Sequence, residues 1–298
     1  MTTPREHGKS EGWSLAFAIL SALGFSFKAI LVKLGLAHGG DAVTLLALRM
    51  GFALPIFLFM AWQVGGSAIA RRDWLWLAAM GVLGYYLSSL FDFLGLQYIT
   101  AGLERLILFL YPTLVVLLSA VFLGHALTRR TLLALALCYG GIALAMAHDL
   151  QFSGDHGQLL TGGAWVFASA VTYALYFMGS GKVVARLGAA RFTAFASTFA
   201  CFLCLGHFIA TRPFSALVVP SRVYVDGLLL ALVSTVVPIY LQARAMRSLS
   251  PGKVAMVGTL GPVITIFLGW LILDESLSAL QAAGAALVLT GVTVVGRR

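Results

Sequence analysis

The stretch GLERLILFLYPTLVVLLSAVFLGHALTRRTLLALALCYGGIALA, Gly102 to Ala145, decides the fold because it occurs twice. At an offset of 150 positions, Gly252 to Val295 reads GKVAMVGTLGPVITIFLGWLILDESLSALQAAGAALVLTGVTVV. Without a gap, Gly102 falls on Gly252, Pro112 on Pro262, Leu118 on Leu268, Leu127 on Leu277, Leu137 on Leu287 and Gly141 on Gly291. Identity is low, but matched Gly and Pro positions carry backbone meaning. Each copy is an apolar run broken by a proline, a short polar turn and a second apolar run. Paired broken hydrophobic segments in corresponding halves are the sequence mark of a transporter's binding region.

Of the 298 residues, 60% are hydrophobic and 10% are charged, where a soluble domain has roughly 25% charged. Apolar runs of about 20 residues recur from end to end, as in a polytopic helical membrane protein. Ten spans are expected, near 13–34, 41–63, 74–96, 102–123, 128–147, 162–182, 190–211, 222–246, 252–273 and 276–296. The longest connection, 148–161, separates two five-span halves, residues 1–150 and 151–298. The first run, from Trp13, is too long for a signal-peptide core and is expected to be retained. Cys138, Cys201 and Cys204 all lie inside apolar runs and read as packing residues without a disulfide or a metal.

The net charge is +9. Its distribution explains it better than nucleic acid does. With a cytoplasmic N-terminus, fourteen of the 20 Lys and Arg fall in cytoplasmic segments and four in outer ones, which places both termini in the cytoplasm. Lys28 and Arg49 lie within spans. Five spans per half is an odd number, so the second half enters the bilayer from the opposite side. The fold class expected is an all-α integral membrane protein of ten transmembrane helices, arranged as two five-helix inverted repeats.

The two five-span halves, the prolines in the fourth and ninth spans, and the ending GPVITIFLGWLILDESLSALQAAGAALVLTGVTVV resemble the drug/metabolite transporter superfamily, EamA type. Glu275, followed by Gln281, Gly284 and Gly291, matches that family's pattern. The first copy departs from it, with Gly124-His125 where the second has Asp274-Glu275. The resemblance covers nearly the whole chain. It implies export of small metabolites across a bacterial-type inner membrane, and it is strongest toward exporters of amino acids, aromatic ones included.

Candidate site residues follow from what a bilayer tolerates. Pro112 and Pro262 each free a helix carbonyl. They read as hinges facing a cavity or as kinks packed on a neighbour. Pro238 is a weaker candidate. Lys28, Asp92, Glu104 and Arg105 fall in the outer halves of their spans, as does Arg49. They form a charge cluster for coupling or gating, or structural ion pairs such as Lys28 or Arg105 with Asp92, with Glu104 and Arg105 close enough to a span end to snorkel. Polar and aromatic residues also recur along helix faces. The sixth span carries Trp165, Ser169, Tyr173, Tyr176 and Ser180. The third carries Tyr85, Ser88 and Asp92 beside Gly81 and Gly84, and the first Ser21, Phe25 and Lys28. The fourth carries Glu104 and Tyr111, and the ninth Met256 and Thr259. Such faces line a cavity for a small amphipathic ligand or join helices by hydrogen bonds.

Small residues in the fifth and tenth spans (Ala134, Cys138, Ala282, Gly284, Ala286, Gly291) read as a packing face within the chain, leaving monomer and homodimer open. His207 reads as satisfied by a neighbour. Gly179-Ser180-Gly181-Lys182 lacks the first glycine of a phosphate loop and ends a span. With no nucleotide motif, energy is expected from a substrate gradient, with or without a proton. No HExxH, paired-aspartate or Ser/His constellation argues for an enzyme, and no cofactor is expected. A scaffold needs neither the repeat nor the prolines. The expected partners are a small-molecule substrate and the lipid bilayer.

Overall fold

The structure, a computed structural model, describes residues 4–65, 69–124, 128–152, 155–246, 249 and 251–296. Ten apolar helices follow one another: Gly12–Ala37, Ala42–Gln63, Arg71–Gly95, Ala101–Phe122, Arg129–Ala147, His156–Leu187, Ala189–Thr211, Ser221–Ala245, Met256–Leu273 and Ala279–Val294. These are the first to tenth spans. Among the described residues, nine are long and apolar enough to cross a membrane and the last is shorter. There are no strands among those residues. Helices are what such a sequence must form, because lipid offers no partner to an unbonded N–H or C=O.

One expectation is corrected. The connection at 148–161 nearly vanishes, since one helix runs Arg129–Phe152 and the next starts at His156. Asp155 sets the early start of the sixth span by capping it, its Oδ1 accepting from the Gly157 and Gln158 N–H groups at 2.9 and 3.0 Å.

The 150-residue offset recurs in the backbone. The fourth span divides into Ala101–Leu108 and Tyr111–Leu123, the ninth into Pro251–Gly258 and Gly261–Leu273. Pro112 and Pro262 stand second in the later segments. Lacking an N–H, they leave the Leu108 and Gly258 carbonyls without a helical donor. The later segments end in left-handed residues, Gly124 at φ 69° and Asp274 at φ 53°, donating to the carbonyls of Ser119 and Gly269. Aspartate tolerates that conformation better than most side chains. The third and eighth spans each contain a π-helical stretch, Gly81–Leu87 and Leu232–Val236.

Packing runs across the two sequence halves. The third span lies antiparallel on the sixth, the first on the eighth, the second on the seventh and the fifth on the tenth. The fifth–tenth contact brings two backbones close together. A Cβ on Gly141 would meet the Gly284 carbonyl at 2.5 Å, and one on Gly284 would meet that of Gly141 at 2.5 Å. Gly291 abuts the Ala134 carbonyl in the same way, at 2.7 Å. The small-residue face is thus used within the chain, through Ala134, Cys138, Gly141, Gly284 and Gly291. Ala282 and Ala286, expected on it, are exposed on another side of the helix.

Gly284→Leu should lower the stability of the detergent-purified protein by about 1–3 kcal/mol, the usual cost of overpacking. Gly140→Ala, with open space around it inside the helix, should leave the melting temperature no lower and raise it slightly. A Gly284→Leu protein that melts like wild type would show that the helices separate at no cost.

Candidate functional site

Six spans gather into two three-helix groups, each mixing the sequence halves. In one, the third and sixth spans are joined along their length. Arg186 pairs with Asp73 at one end. Next come Tyr85 Oη with Tyr176 Oη (3.1 Å), Ser88 Oγ with Ser169 Oγ (3.1 Å) and the Phe91 ring with Trp165 (5.4 Å). Gly84 makes room for the Tyr176 ring, which fills the place of a Cβ. The fourth span joins through Tyr111, whose ring meets Tyr173 edge-on and Phe177 face-on, both at 5.0 Å between centroids. Tyr173 stacks on Tyr176 at 5.6 Å, and Phe192 of the seventh span closes the group at 6.0 Å from Tyr176.

In the other group, Ser21 Oγ donates to the Pro238 carbonyl (2.8 Å) and Ser26 Oγ to that of Gly261 (3.2 Å). These bonds tie the first span to the eighth and ninth. The two groups correspond under the repeat, first–eighth–ninth to sixth–third–fourth.

Charged side chains bridge the groups. Lys28 Nζ lies 2.7 Å from Asp92 Oδ2 and 3.3 Å from Glu104 Oε1. The lysine side chain is 14% exposed and the carboxylates 2% and 0%, so the ammonium stands between two sealed acids and more open space. Arg105 Nε donates to Thr265 Oγ1 (3.2 Å) and its Nη2 to the Phe25 carbonyl (2.5 Å). Arg49, from the second span, donates to Thr235 Oγ1 (2.9 Å) and Ser89 Oγ (3.3 Å), with its guanidinium 5.5 Å from the Phe93 ring centroid.

The bridging continues to the end of the bundle where the first span finishes. Lys33 Nζ donates to the Ile99 carbonyl (2.9 Å), and Thr100 Oγ1 to Asp149 Oδ2 (2.8 Å). Glu275, in the turn after the ninth span, folds back over Gly269 and accepts from the N–H groups of Ala101 (2.8 Å) and Gly102 (3.4 Å). A carboxylate at a helix N-terminus satisfies free donors and meets the positive end of the helix dipole. Burial pushes the Glu275 carboxyl above the ordinary glutamate range, and the two N–H groups and Lys33 draw it back. At the opposite end Arg71–Met80 packs on the sixth and seventh spans and Pro251–Gly258 on the first.

The structure brings Tyr85, Tyr111, Tyr173 and Tyr176 together, and likewise Lys28, Asp92 and Glu104. It places Ser88 and Ser169 against each other and Trp165 against Phe91, at a helix–helix contact. Phe25 is half-buried and supplies its carbonyl to Arg105. Met256 is 71% exposed, and Thr259 turns its hydroxyl back to the Met256 carbonyl (2.6 Å). Among the described residues, neither bonds to the tyrosines. Pro112 and Pro262 sit at the breaks. Glu104 does not snorkel: its side chain is fully buried toward Lys28. Arg105 pairs with neutral oxygens rather than with Asp92. His207 meets the Tyr86 ring edge-on at 5.8 Å. Sequence reasoning missed Phe177 and Phe192, which belong to the tyrosine cluster. The helical spacing of Phe177 beside Tyr173 was the available signal; Phe192 comes from another span and gave none.

The EamA-like transporter family matches the chain twice, over residues 12–147 and 160–297. The chain belongs to this family of transporters. It is 27% identical over 290 residues to the uncharacterized transporter YcbK of Bacillus subtilis strain 168, covering 92% of this chain and 91% of that one. It is also 27% identical to a probable terminal-alkyne amino-acid exporter of Streptantibioticus cattleyicolor, with 96% and 93% covered. A probable amino-acid metabolite efflux pump of Escherichia coli K12 is 25% identical, with 94% and 93% covered. A solved crystal structure at 18% identity shares the fold, with a TM-score of 0.65 over 94% of this chain and 95% of that one.

Lys28→Met leaves two buried carboxylates without their ammonium, and should cost about 3–5 kcal/mol of stability. Adding Glu104→Gln should recover part of that loss. Melting temperatures of the single and double variants in detergent check both statements; a double variant no better than the single one would remove Glu104 from the cluster.

Proposed function

We propose that the chain is a secondary transporter exporting small organic metabolites, amino acids with aromatic or other apolar side chains among them, by alternating access about a central cavity. It is a multi-pass protein of a bacterial-type inner membrane with both termini in the cytoplasm. Its two five-span halves, 1–150 and 151–298, enter the membrane in opposite senses. The amino-acid class draws support from the names of the two amino-acid-exporting relatives and from the ring cluster of Tyr85, Tyr111, Tyr173 and Tyr176, a surface suited to an aromatic side chain.

The observation that carries the reading is the position of the bridging bonds. Those from Lys28, Lys33, Arg105 and Glu275 join the first–eighth–ninth group to the third–fourth–sixth group toward one end. This end is the outer one in the proposed orientation, so the arrangement corresponds to a state closed to the outside. The moving bodies are then these mixed three-helix groups, not the sequence halves. Opening breaks the bridging bonds, while breaks at 109–110 and 259–260 absorb the bending. The gradient of substrate drives the cycle without nucleotide hydrolysis.

A second reading is a proton-coupled exporter of drugs or other metabolites. The observation favouring it is that two buried carboxyls, Asp92 and Glu104, share one ammonium. Like charges so placed make a proton a natural third party.

Uptake of labelled amino acids into proteoliposomes holding only this protein, with and without a pH gradient, tests both. Saturable uptake without a gradient is expected. Uptake that needs the gradient and disappears in Asp92→Asn or Glu104→Gln would favour the second reading, and no uptake of any amino acid would sink the first. Tyr173→Ala and Tyr176→Ala should each cut transport per folded molecule by about tenfold, the worth of one aromatic contact with its buried area. Equal transport by both variants would take the tyrosine cluster out of the substrate's path.

A further inference from the structure

Five ionisable side chains meet between the helices, and their charges do not balance. Lys28, Arg49 and Arg105 are basic; Asp92 and Glu104 are acidic. Both acids are committed to Lys28. Arg49 is 8% exposed, held by two hydroxyls and covered by the Phe93 ring. Arg105 differs. Among the described residues it forms no ion pair, and its two bonds go to neutral oxygens, the Phe25 carbonyl and Thr265 Oγ1. A guanidinium has five donors, so several remain free. It is only half-buried, and it stands six residues before Tyr111 on the same span. A cation inside the membrane with no ion-pair partner is costly and points to a functional site.

We propose that Arg105 binds the carboxylate of the transported molecule, with the tyrosine cluster taking its side chain. The inference rests on the transporter reading above and adds to it a required chemical group. The free face of the guanidinium matches a carboxylate's two oxygens. Phe25 and Thr265 hold it in place from the first and ninth spans. Because those same bonds bridge the two helix groups, a carboxylate that competes for Arg105 loosens the closed end as it binds. Substrate recognition and release of the closure are then one event at one side chain.

Three ring-bearing probes isolate the group: L-phenylalanine, hydrocinnamate (ring and carboxylate, no ammonium) and phenethylamine (ring and ammonium, no carboxylate). Each is titrated against the melting temperature of the purified wild type, Arg105→Gln and Arg105→Lys. Phenylalanine and hydrocinnamate should stabilise the wild type at concentrations about tenfold or more below those phenethylamine needs, the worth of one charge-assisted bond. Arg105→Gln should abolish that preference while keeping its response to phenethylamine, and Arg105→Lys should restore part of it. Phenethylamine acting as well as phenylalanine on the wild type would overturn the proposal, as would Arg105→Gln retaining the preference. If none of the three acts on the wild type, the aromatic amino-acid reading fails, and leucine and acetate at constant ionic strength replace them. Carboxylate stabilisation lost in Arg105→Gln then upholds the anion site alone, and no response to any carboxylate ends it.

Discussion

The structure depends on close antiparallel contact between helices from opposite sequence halves. Lipid is as apolar as leucine, so burying leucine gives helices no reason to associate. Close approach of small residues and hydrogen bonds across the interface do that instead. Gly141 against Gly284 brings two backbones together in the fifth–tenth pair. Gly84 under the Tyr176 ring, with Ser88 against Ser169, does the same for the third and sixth. Ser21 on the Pro238 carbonyl serves the first and eighth. Each of these helix pairs has a counterpart in the repeat, or joins a span to its own repeat, so one pairing scheme is applied throughout.

Upon that packing sits a costly polar layer. Buried charges are poor sources of stability, since desolvation consumes most of what attraction returns. Here Lys28, Asp92, Glu104 and Arg105 lie where one three-helix group meets the other, along with main-chain groups at the outer end of the fourth span. A joint of this kind is strong while dry and weakens when water or a polar ligand enters. Leucines at the same positions would hold the groups together with no such response. Within the third–fourth–sixth group, hydroxyl pairs and ring contacts do most of the tying, with Arg186–Asp73 at one end; within the first–eighth–ninth group, serine–carbonyl bonds do, with His38–Asp226 at one end.

Much of this could be read from the residues. The matched prolines and glycines located both breaks, and the span pattern located the apolar helices, the last of them shorter than a span. The intramembrane Lys28, Asp92 and Glu104 announced themselves because so few charges occur in spans. The remainder was hidden for physical reasons. The π-helical turns at Gly81–Leu87 and Leu232–Val236 leave no strong composition signal. The stripe Trp165, Ser169, Tyr173, Tyr176 marks a face turned from lipid, but periodicity does not tell a helix contact from a cavity wall; Ser169 falls to the first and Tyr173 to the ring cluster. Glu275 was visible as an acid after the ninth span, yet its bond to Ala101 depends on how distant turns meet.

The interleaved pairing also sets an order of events during synthesis. A helix inserted early waits for a partner that follows in the second half. The fifth span, with its glycine surface, has its main neighbour in the tenth, so that surface stays against lipid or a chaperone until the last helix is in place. The first half by itself is therefore an incomplete object, with its joining faces open. Two copies lying in opposite senses in the same membrane could supply those faces to each other, and a single chain containing both halves makes that meeting certain.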